Sequence, residues 1–180
     1  MADHMVVMKD SEEGVSGEKA ALMIYDEGTD WCELVGVPTK SANHAELALR
    51  TFMGDEKVKA FYSDNSKELK AAARKLAWVR ATATPYRPES NGKIERLLRL
   101  LIEGIRAVLA SCGLPHKWWP IAAAHFAMCL NLTKGRVIGE DRSSWERRHN
   151  SQFPGLIIPF GAEIQFRPTK PNLEKIPKIR

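Results

Sequence analysis

Apolar positions recur along the chain with two different periods, and the change of period predicts a mixed α/β architecture. Three short apolar runs, residues 3–9, 20–25 and 32–37, are separated by turn-forming residues and predict an antiparallel β meander. Two later runs, residues 57–63 and 78–83, have the length of strands and contain β-branched or aromatic residues. The pattern therefore predicts five strands.

Helical spacing of apolar residues appears between and after the later strands. The first predicted helix begins near Asn43, which we expect to cap it. Its expected core-facing residues are Leu47, Leu49, Phe52 and Met53. The other predicted helices cover residues 66–76, 92–111 and 117–130. This order predicts an α/β fold, a mixed five-stranded sheet flanked by helices.

Regular patterning weakens after about residue 135. We predict a domain over residues 1–135, followed by a C-terminal extension over residues 136–180. Residues 153–166 predict a small β hairpin. Residues 167–180 are basic and contain three prolines that disfavour regular structure, so we expect a flexible tail there.

The composition is that of an ordinary globular protein, with 180 residues of which 44% are hydrophobic and 27% charged. No apolar run approaches the length of a membrane span, and the first residues do not resemble a signal peptide. Three cysteines without a paired spacing indicate reduced thiols. We therefore expect an intracellular protein without a membrane partner, nuclear if the host is eukaryotic.

Charge is distributed unevenly along the chain. The formal net charge is +5, but residues 1–90 carry −3 and residues 91–180 carry +8. The basic surplus begins at the predicted helix over residues 92–111, which favours a polyanionic partner. A solvated surface with surplus lysines is the alternative interpretation.

Residues 84–96 combine a loop with a helix start. Two prolines, Asn91 and Gly92 predict a loop, and apolar residues at helical spacing follow from Ile94. Glu95 therefore lies in the first turn of a helix, beside basic residues. Its simplest role would be a favourable interaction with the helix dipole.

Two further carboxylates indicate a second role for Glu95, as one of three acidic ligands to metal ions. Asp64 ends the apolar run of residues 57–63, and Asp3 lies on the first predicted strand. Three carboxylates on two strands and a helix can form an oxygen-rich site for hard divalent ions. Two such ions suit in-line phosphoryl transfer.

These residues also carry a resemblance to a known family. The matching segments read Ser63-Asp64-Asn65-Ser66-x-Glu68-Leu69 and Thr84-Pro-x-Arg-Pro-x-Ser-Asn-Gly-x-x-Glu95-Arg96. Together they resemble the catalytic core of retroviral and retrotransposon integrases, with copia-type elements closest, over roughly residues 1–135. The spacing of 30 residues between Asp64 and Glu95 is a few short of the family's usual value, and Ser66 replaces the commoner glycine.

The resemblance implies a ribonuclease-H-like fold and a polynucleotidyl transferase that performs 3′-end processing and strand transfer of DNA in integration. It implies two divalent ions, Mg²⁺ or Mn²⁺, held by the catalytic residues Asp3, Asp64 and Glu95. The implied partners are DNA and further copies of the chain, and the sequence is expected to be a fragment of a retrotransposon polyprotein. The residues expected to contact DNA are Arg87, Asn91, Lys93, Arg96 and Arg99.

The first acid has two candidates. Asp26 ends an apolar strand, but in the family the first acid lies on the first strand of the meander, where Asp3 stands. The first and fourth strands are neighbours in this fold, so Asp3 and Asp64 could share an ion. Asp3 is therefore favoured over Asp26.

Three other interpretations stay open at this point. The chain could be a decayed or truncated element that binds DNA without catalysis. A ribonuclease-H-type nuclease would share the site chemistry, although the spacing from Pro88 through Asn91 to Glu95 favours an integrase. A zinc site is the third, with candidate ligands Cys112, His116, His125 and Cys129. Core packing of these four is favoured, because the last two lie in an apolar predicted helix.

Overall fold

The computed structural model describes residues 1–6, 13–63, 66–79, 88–135 and 139–165, with only the backbone described at residues 5–6 and 88–91. The strands of this part are β1 (Ala2–Val6), β2 (Ala20–Asp26) and β3 (Trp31–Val37). The helices are α1 (Ala42–Met53), α2 (Lys67–Lys75), α3 (Pro88–Cys112), α4 (Trp119–Leu132) and α5 (Ser144–His149). A single 3₁₀ turn, His116–Trp118, leads into α4.

The predicted antiparallel meander is confirmed. The strands lie in the order β1-β2-β3, and both pairings are antiparallel, with Ala2 opposite Ile24 and Ala20 opposite Val37. The central strand β2 is buried along nearly its whole length. Burial on both faces requires a helical layer on each side of the sheet.

Alternate residues of β2 enter two separate cores. Leu22 and Ile24 face α1 and α2, and residues from both helices pack around them. Met23 and Tyr25 face the other way, into a cluster with α3 and α4. Fully burying one such large apolar side chain contributes roughly 1.5–3 kcal/mol. The two-period pattern of the sequence thus becomes a three-layer arrangement of helices, sheet and helices.

The predicted fourth and fifth strands are not confirmed as strands. In residues 57–63, Phe61 and Ser63 are single bridge residues; Ser63 pairs in parallel with Ala2, and the Ala2 amide donates to the carbonyl of Tyr62 at 3.0 Å. Phe61 donates to the carbonyl of Val79 at 3.2 Å. Residues 80–83 lie outside the described part. The described sheet therefore has three strands, with a partly paired segment beside β1.

Helix α1 differs from its prediction at its start and on its buried face. Ser41, not Asn43, caps it by accepting a hydrogen bond from the His44 amide at 3.3 Å. Leu47 was expected in the core but is 63% exposed, and the buried face consists of Ala45, Ala48 and Leu49. Leu47 was assigned to the wrong face of the helix because the interface with α2 is formed by small alanines.

Helix α3 starts earlier than predicted. The sequence predicted a loop up to Gly92, but the helix begins at Pro88. Proline is tolerated at the first helical position, because its missing N–H would have no partner there. The remaining loop residues, 84–87, lie outside the described part. The helix then packs closely on α4, since a Cβ at Gly104 would lie 2.0 Å from the Phe126 ring.

The apolar helix expected from residue 117 is confirmed as α4. Trp119 is 7% exposed and belongs to the core cluster with α3. Asn131 of α4 is also buried, and its amide group brackets Cys32 of β3, accepting from the backbone N–H at 3.0 Å and donating to the carbonyl at 2.8 Å. None of the described helices is both long enough and apolar enough to cross a membrane.

The C-terminal extension contains one helix that was not predicted. Ser143 and Glu146 form a capping box at the start of α5, in which each side chain accepts from the other residue's backbone N–H. The expected hairpin over residues 153–166 has no strand in its described part, 153–165. Residues 166–180, including the predicted basic tail, lie outside the described part. The domain boundary near residue 135 stays a prediction.

Candidate active site

Asp3 lies on β1 and shares a face of the sheet with helix α3. It pairs with Met23 of β2, and directly paired residues of antiparallel strands point to the same side. Met23 belongs to the cluster formed with α3 and α4. Asp3 is half-buried, and its Oδ1 accepts a hydrogen bond from the His4 amide at 2.7 Å.

The predicted second acid, Asp64, lies outside the described residues. The nearest described residue before it is Ser63, which pairs in parallel with Ala2, the residue that precedes Asp3. The chain thus runs alongside the beginning of β1 immediately before Asp64.

Glu95 lies near the beginning of α3, two turns after Pro88. Its side chain is exposed and makes no ion pair or hydrogen bond with another described residue. The apolar face of α3, with Leu101 and Ile105, packs on the same side of the sheet that carries Asp3. Asp3 and Glu95 therefore lie on one side of the sheet. In the part of the chain that is described, no three His, Cys, Asp or Glu side chains form a group suited to a metal ion.

The five residues expected to contact DNA have different outcomes. Arg87 lies outside the described part, and Asn91 is described only as backbone within α3. Arg96 and Arg99 are exposed on α3. Lys93 contacts other parts of the protein. Its Nζ lies 3.3 Å from Oδ1 of Asp30 and 4.7 Å from the centroid of the Tyr25 ring.

Asp26, the alternative first acid, stabilises a turn. Its Oδ1 accepts from the Gly28 amide at 3.1 Å, and its Oδ2 accepts from the Thr29 amide at 3.2 Å and hydroxyl at 2.6 Å. It follows Tyr25 on β2, and its pairing with Trp31 closes the β2–β3 hairpin. Both carboxylate oxygens thus have partners in the turn between the strands.

Sequence reasoning missed a buried charged network at the other end of the same turn. Asp30 is 5% exposed, and its carboxylate accepts hydrogen bonds from the Tyr25 hydroxyl and from Nη1 of Arg147 in α5. Its backbone carbonyl accepts from the Ser144 hydroxyl at 2.9 Å. Nζ of Lys93 also donates to Oδ1 of Asp30, at 3.3 Å.

The protonation of Asp30 follows from these contacts. Burial acts to raise the pKa of the Asp30 carboxyl, but the hydrogen bonds from Tyr25 and Arg147 and the charge of Lys93 outweigh it and hold the pKa below its ordinary value. Asp30 is therefore an anion at neutral pH. Arg147 is 117 residues away in sequence, so no local pattern indicates the pair; the Ser-x-x-Glu spacing at residues 143–146 would have indicated α5.

The four zinc candidates do not form a metal site. His125 hydrogen-bonds through Nε2 to the carbonyl of Ile158 at 3.0 Å, and its Nδ1 lies 3.8 Å from Sγ of Cys129. Burial raises the pKa of the Cys129 thiol, which disfavours the thiolate that zinc requires. Cys112 instead donates to the carbonyl of Leu109 in its own helix. The predicted core packing is confirmed only in part, because Cys112, His125 and Cys129 are half-buried with partners inside the protein, whereas His116 is exposed.

Comparison with known proteins identifies the fold. No family model matches the chain, and no curated protein matches it in sequence. Among solved structures, the catalytic core domain of BIV integrase is similar with a TM-score of 0.56 and 20% sequence identity. The match covers 81% of this chain and 89% of that domain. The chain therefore has an integrase-core-like fold, a mixed α/β architecture built on an antiparallel meander.

Proposed function

We propose that this protein is a DNA integrase, a polynucleotidyl transferase that processes 3′ ends and transfers strands. The observation that carries the proposal is the placement of Asp3 and Glu95 on one side of the sheet, with Ser63 paired beside Ala2 just before Asp64. The similarity in fold to the core domain of BIV integrase supports it. The sequence motif around Asp64 and Glu95 favours a retrotransposon enzyme of copia type.

The donor chemistry of the proposed catalytic residues suits magnesium or manganese. Asp3, Asp64 and Glu95 would offer carboxylate oxygens, the ligands that hard divalent ions prefer. Glu95 is exposed and makes no ion pair with another described residue that would compete with a metal ion. Two bound ions would supply activation of the attacking hydroxyl and stabilisation of the leaving oxygen.

The protein's own side chains would hold and orient the substrate. Asp3 lies on a strand, and strands position a side chain more precisely than a loop does. Arg96 and Arg99 lie one and four residues beyond Glu95 on the same helix and are exposed, so they would neutralise phosphates next to the reacting one. No side chain needs to form a covalent intermediate. DNA is the proposed partner, and we expect the active form to be a homo-oligomer.

Asp26 is a poorer candidate than Asp3 for the first acid. Its oxygens already accept hydrogen bonds from Gly28 and Thr29. Asp26 is two residues after Ile24 on β2, so both side chains point to the same face of the sheet. On that face Ile24 belongs to the cluster with α1 and α2. A carboxylate with turn partners on that side of the sheet is poorly placed to join Glu95, which supports the preference for Asp3.

A disintegration assay tests the proposal. In this assay a branched DNA that mimics the product of strand transfer is resolved into its parts in the presence of Mg²⁺ or Mn²⁺. We expect metal-dependent resolution by the wild-type protein and its loss in Asp64→Asn, which preserves shape but removes a charged oxygen ligand. A wild-type protein that binds DNA without resolving it would instead support the non-catalytic, decayed element.

A further inference from the structure

We infer that Asp30 and Lys93 form a positioning pair that fixes the beginning of helix α3 against the sheet and so sets the position of Glu95. The inference rests on the proposed function, in which Glu95 is a metal ligand. It assigns Lys93 a role within the protein that differs from the phosphate contact expected from the sequence.

The first step is the anchoring of α3. Helix ends fray more readily than helix centres, and Glu95 lies close to the beginning of its helix. Ile94 is 7% exposed and holds this region by apolar contact. Lys93 adds a directional contact, because its Nζ reaches Asp30 while it also lies over the Tyr25 ring. A contact of this kind fixes the rotation of the helix as well as its distance from the sheet.

Rotation matters because successive helical residues are about 100° apart around the axis, which follows from 3.6 residues per turn. Lys93 and Glu95 are two positions apart, so their side chains leave the helix on roughly opposite sides. With Lys93 held at the β2–β3 turn, Glu95 keeps one direction. If this part of α3 were not anchored, a small rotation of the helix would move the Glu95 carboxylate out of ligand distance of an ion that Asp3 would hold.

The second step is the rigidity of the anchor itself. Asp30 is buried, and its carboxylate has hydrogen bonds from Tyr25 and Arg147 in addition to the ion pair with Lys93. The Ser144 hydroxyl holds its backbone. Lys93, by contrast, has a side chain that is 47% exposed. The pair therefore joins a fixed acceptor, Asp30 in the β2–β3 turn, to a donor in helix α3. Helix α5 holds this acceptor in place through Arg147 and Ser144.

The test compares three variants of the whole chain. Lys93→Met removes the charge but keeps an apolar stem for the Tyr25 ring, and Lys93→Arg keeps the charge. Lys75→Met is the matched control, because it removes a lysine whose side chain is also 47% exposed and which pairs with Glu46 at 3.2 Å, on the opposite side of the sheet from α3. Amide hydrogen exchange is measured over residues 93–97 and, as an internal reference, over residues 101–109. Activity is measured against Mg²⁺ concentration.

We expect Lys93→Met to speed exchange over residues 93–97 by about five-fold, the equivalent of one partly buried ion pair, and to leave residues 101–109 unchanged. It should also raise the Mg²⁺ concentration needed for half-maximal resolution of branched DNA, while Lys93→Arg keeps both values at the wild-type level and Lys75→Met changes neither. A merely stabilising contact would lower the melting temperature without changing the Mg²⁺ requirement, and that result would overturn the inference.

The alternative to a positioning role is that Lys93 contacts a DNA phosphate. In that case Lys93→Met would reduce the salt dependence of DNA binding by about one unit of slope, and exchange at residues 93–97 would not change. That result would also overturn the inference. If the wild-type protein proves inactive, the proposed function fails, but exchange at the start of α3 still decides whether the pair holds the helix.

Discussion

The two acids of the β2–β3 turn and Glu95 of the candidate active site have opposite environments. Asp26 and Asp30 lie on either side of the turn, and both are engaged by protein donors: Asp26 by Gly28 and Thr29, and Asp30 by Tyr25 and Arg147 among others. These donors include a hydroxyl, backbone amides and a guanidinium. The carboxylates of the turn therefore stabilise the fold and have little capacity left for an external ion.

Glu95 differs from them in what surrounds its oxygens. Its side chain is exposed and makes no hydrogen bond or ion pair with another described residue, whereas Asp3 is half-buried and accepts a hydrogen bond from the neighbouring His4 amide among its contacts. A buried carboxylate must be paired to be stable, whereas an exposed one is hydrated and can exchange water for a metal. The comparison teaches that partners, more than position at a strand end, separate a structural acid from a candidate ligand.

The strongest test of this comparison replaces each of the two candidate first acids, Asp3 and Asp26, in turn. Asp3→Asn should reduce metal-dependent activity by about a thousandfold, because a ligand to a catalytic ion contributes several kcal/mol to the transition state. Asp26→Asn should keep most of the activity and lose about 1 kcal/mol of stability, through weaker hydrogen bonds in the turn. Single-turnover resolution of branched DNA and urea unfolding measure the two effects. The reverse result would place the site on β2.

A second test asks how much the Asp30 network stabilises the fold. Asp30→Asn should lower the free energy of unfolding by about 3 kcal/mol, because the half-buried guanidinium of Arg147 loses its closer anionic partner and keeps only the longer contact with Glu140 at 3.7 Å. Urea denaturation of the wild type and the variant gives this difference. Glu95→Gln is the matched control, since it removes the charge of an exposed carboxylate, and its stability should be close to that of the wild type. Equal losses in the two variants would contradict the distinction between structural and catalytic acids.

The same network predicts that the stability of the fold depends on pH, an effect smaller than that of the replacement itself. Because the pKa of Asp30 is lowered in the folded state relative to its ordinary value of 3.8, its stabilisation is fully present above that value and is lost as the pH falls through the folded pKa. The stability difference between wild type and Asp30→Asn should therefore narrow below a pH of about 4. Urea unfolding at a series of pH values measures it. A difference that stays constant to the lowest pH would show that the charge of Asp30 contributes nothing.

Much of the fold could be predicted from the sequence, where the signal is local. The meander follows from short apolar runs between turn residues, and the helix predicted over residues 66–76 is found as α2, which Ser66 caps. The helix centres of α3 and α4 follow from their apolar spacing. Boundaries were less predictable, because Pro88 is compatible with both a loop and a first helical turn.

The site could be predicted only in part, for a physical reason. A motif gives the identity of Asp64 and Glu95, but the partners of a carboxylate come from elsewhere in the chain. Arg147 reaches Asp30 across 117 residues, and Lys93 reaches it across 63. No periodicity or composition contains these contacts, so Lys93 was predicted to contact DNA and its ion pair was missed.

The last prediction concerns the basic face of α3 and has the smallest expected effect. Arg96 and Arg99 are exposed beside Glu95, so replacing both with alanine should weaken DNA binding several-fold and lower the salt dependence by about 0.9 for each lost phosphate contact. Because phosphate contacts carry no sequence information, the loss should be uniform across DNA sequences. Fluorescence anisotropy with a short duplex at several salt concentrations measures both values.

Arg74→Ala is the matched control for this double replacement. Arg74 is also exposed, but it lies on α2, which packs on the opposite side of the sheet from α3. Its removal subtracts a positive charge without touching the proposed DNA-binding face, so the salt dependence should stay at the wild-type value. If Arg74→Ala weakens binding as much per charge as the α3 variants do, the attraction comes from net charge alone. The contrast between the two faces of the sheet would then not extend to DNA recognition, and the role of Arg96 and Arg99 would have to be withdrawn.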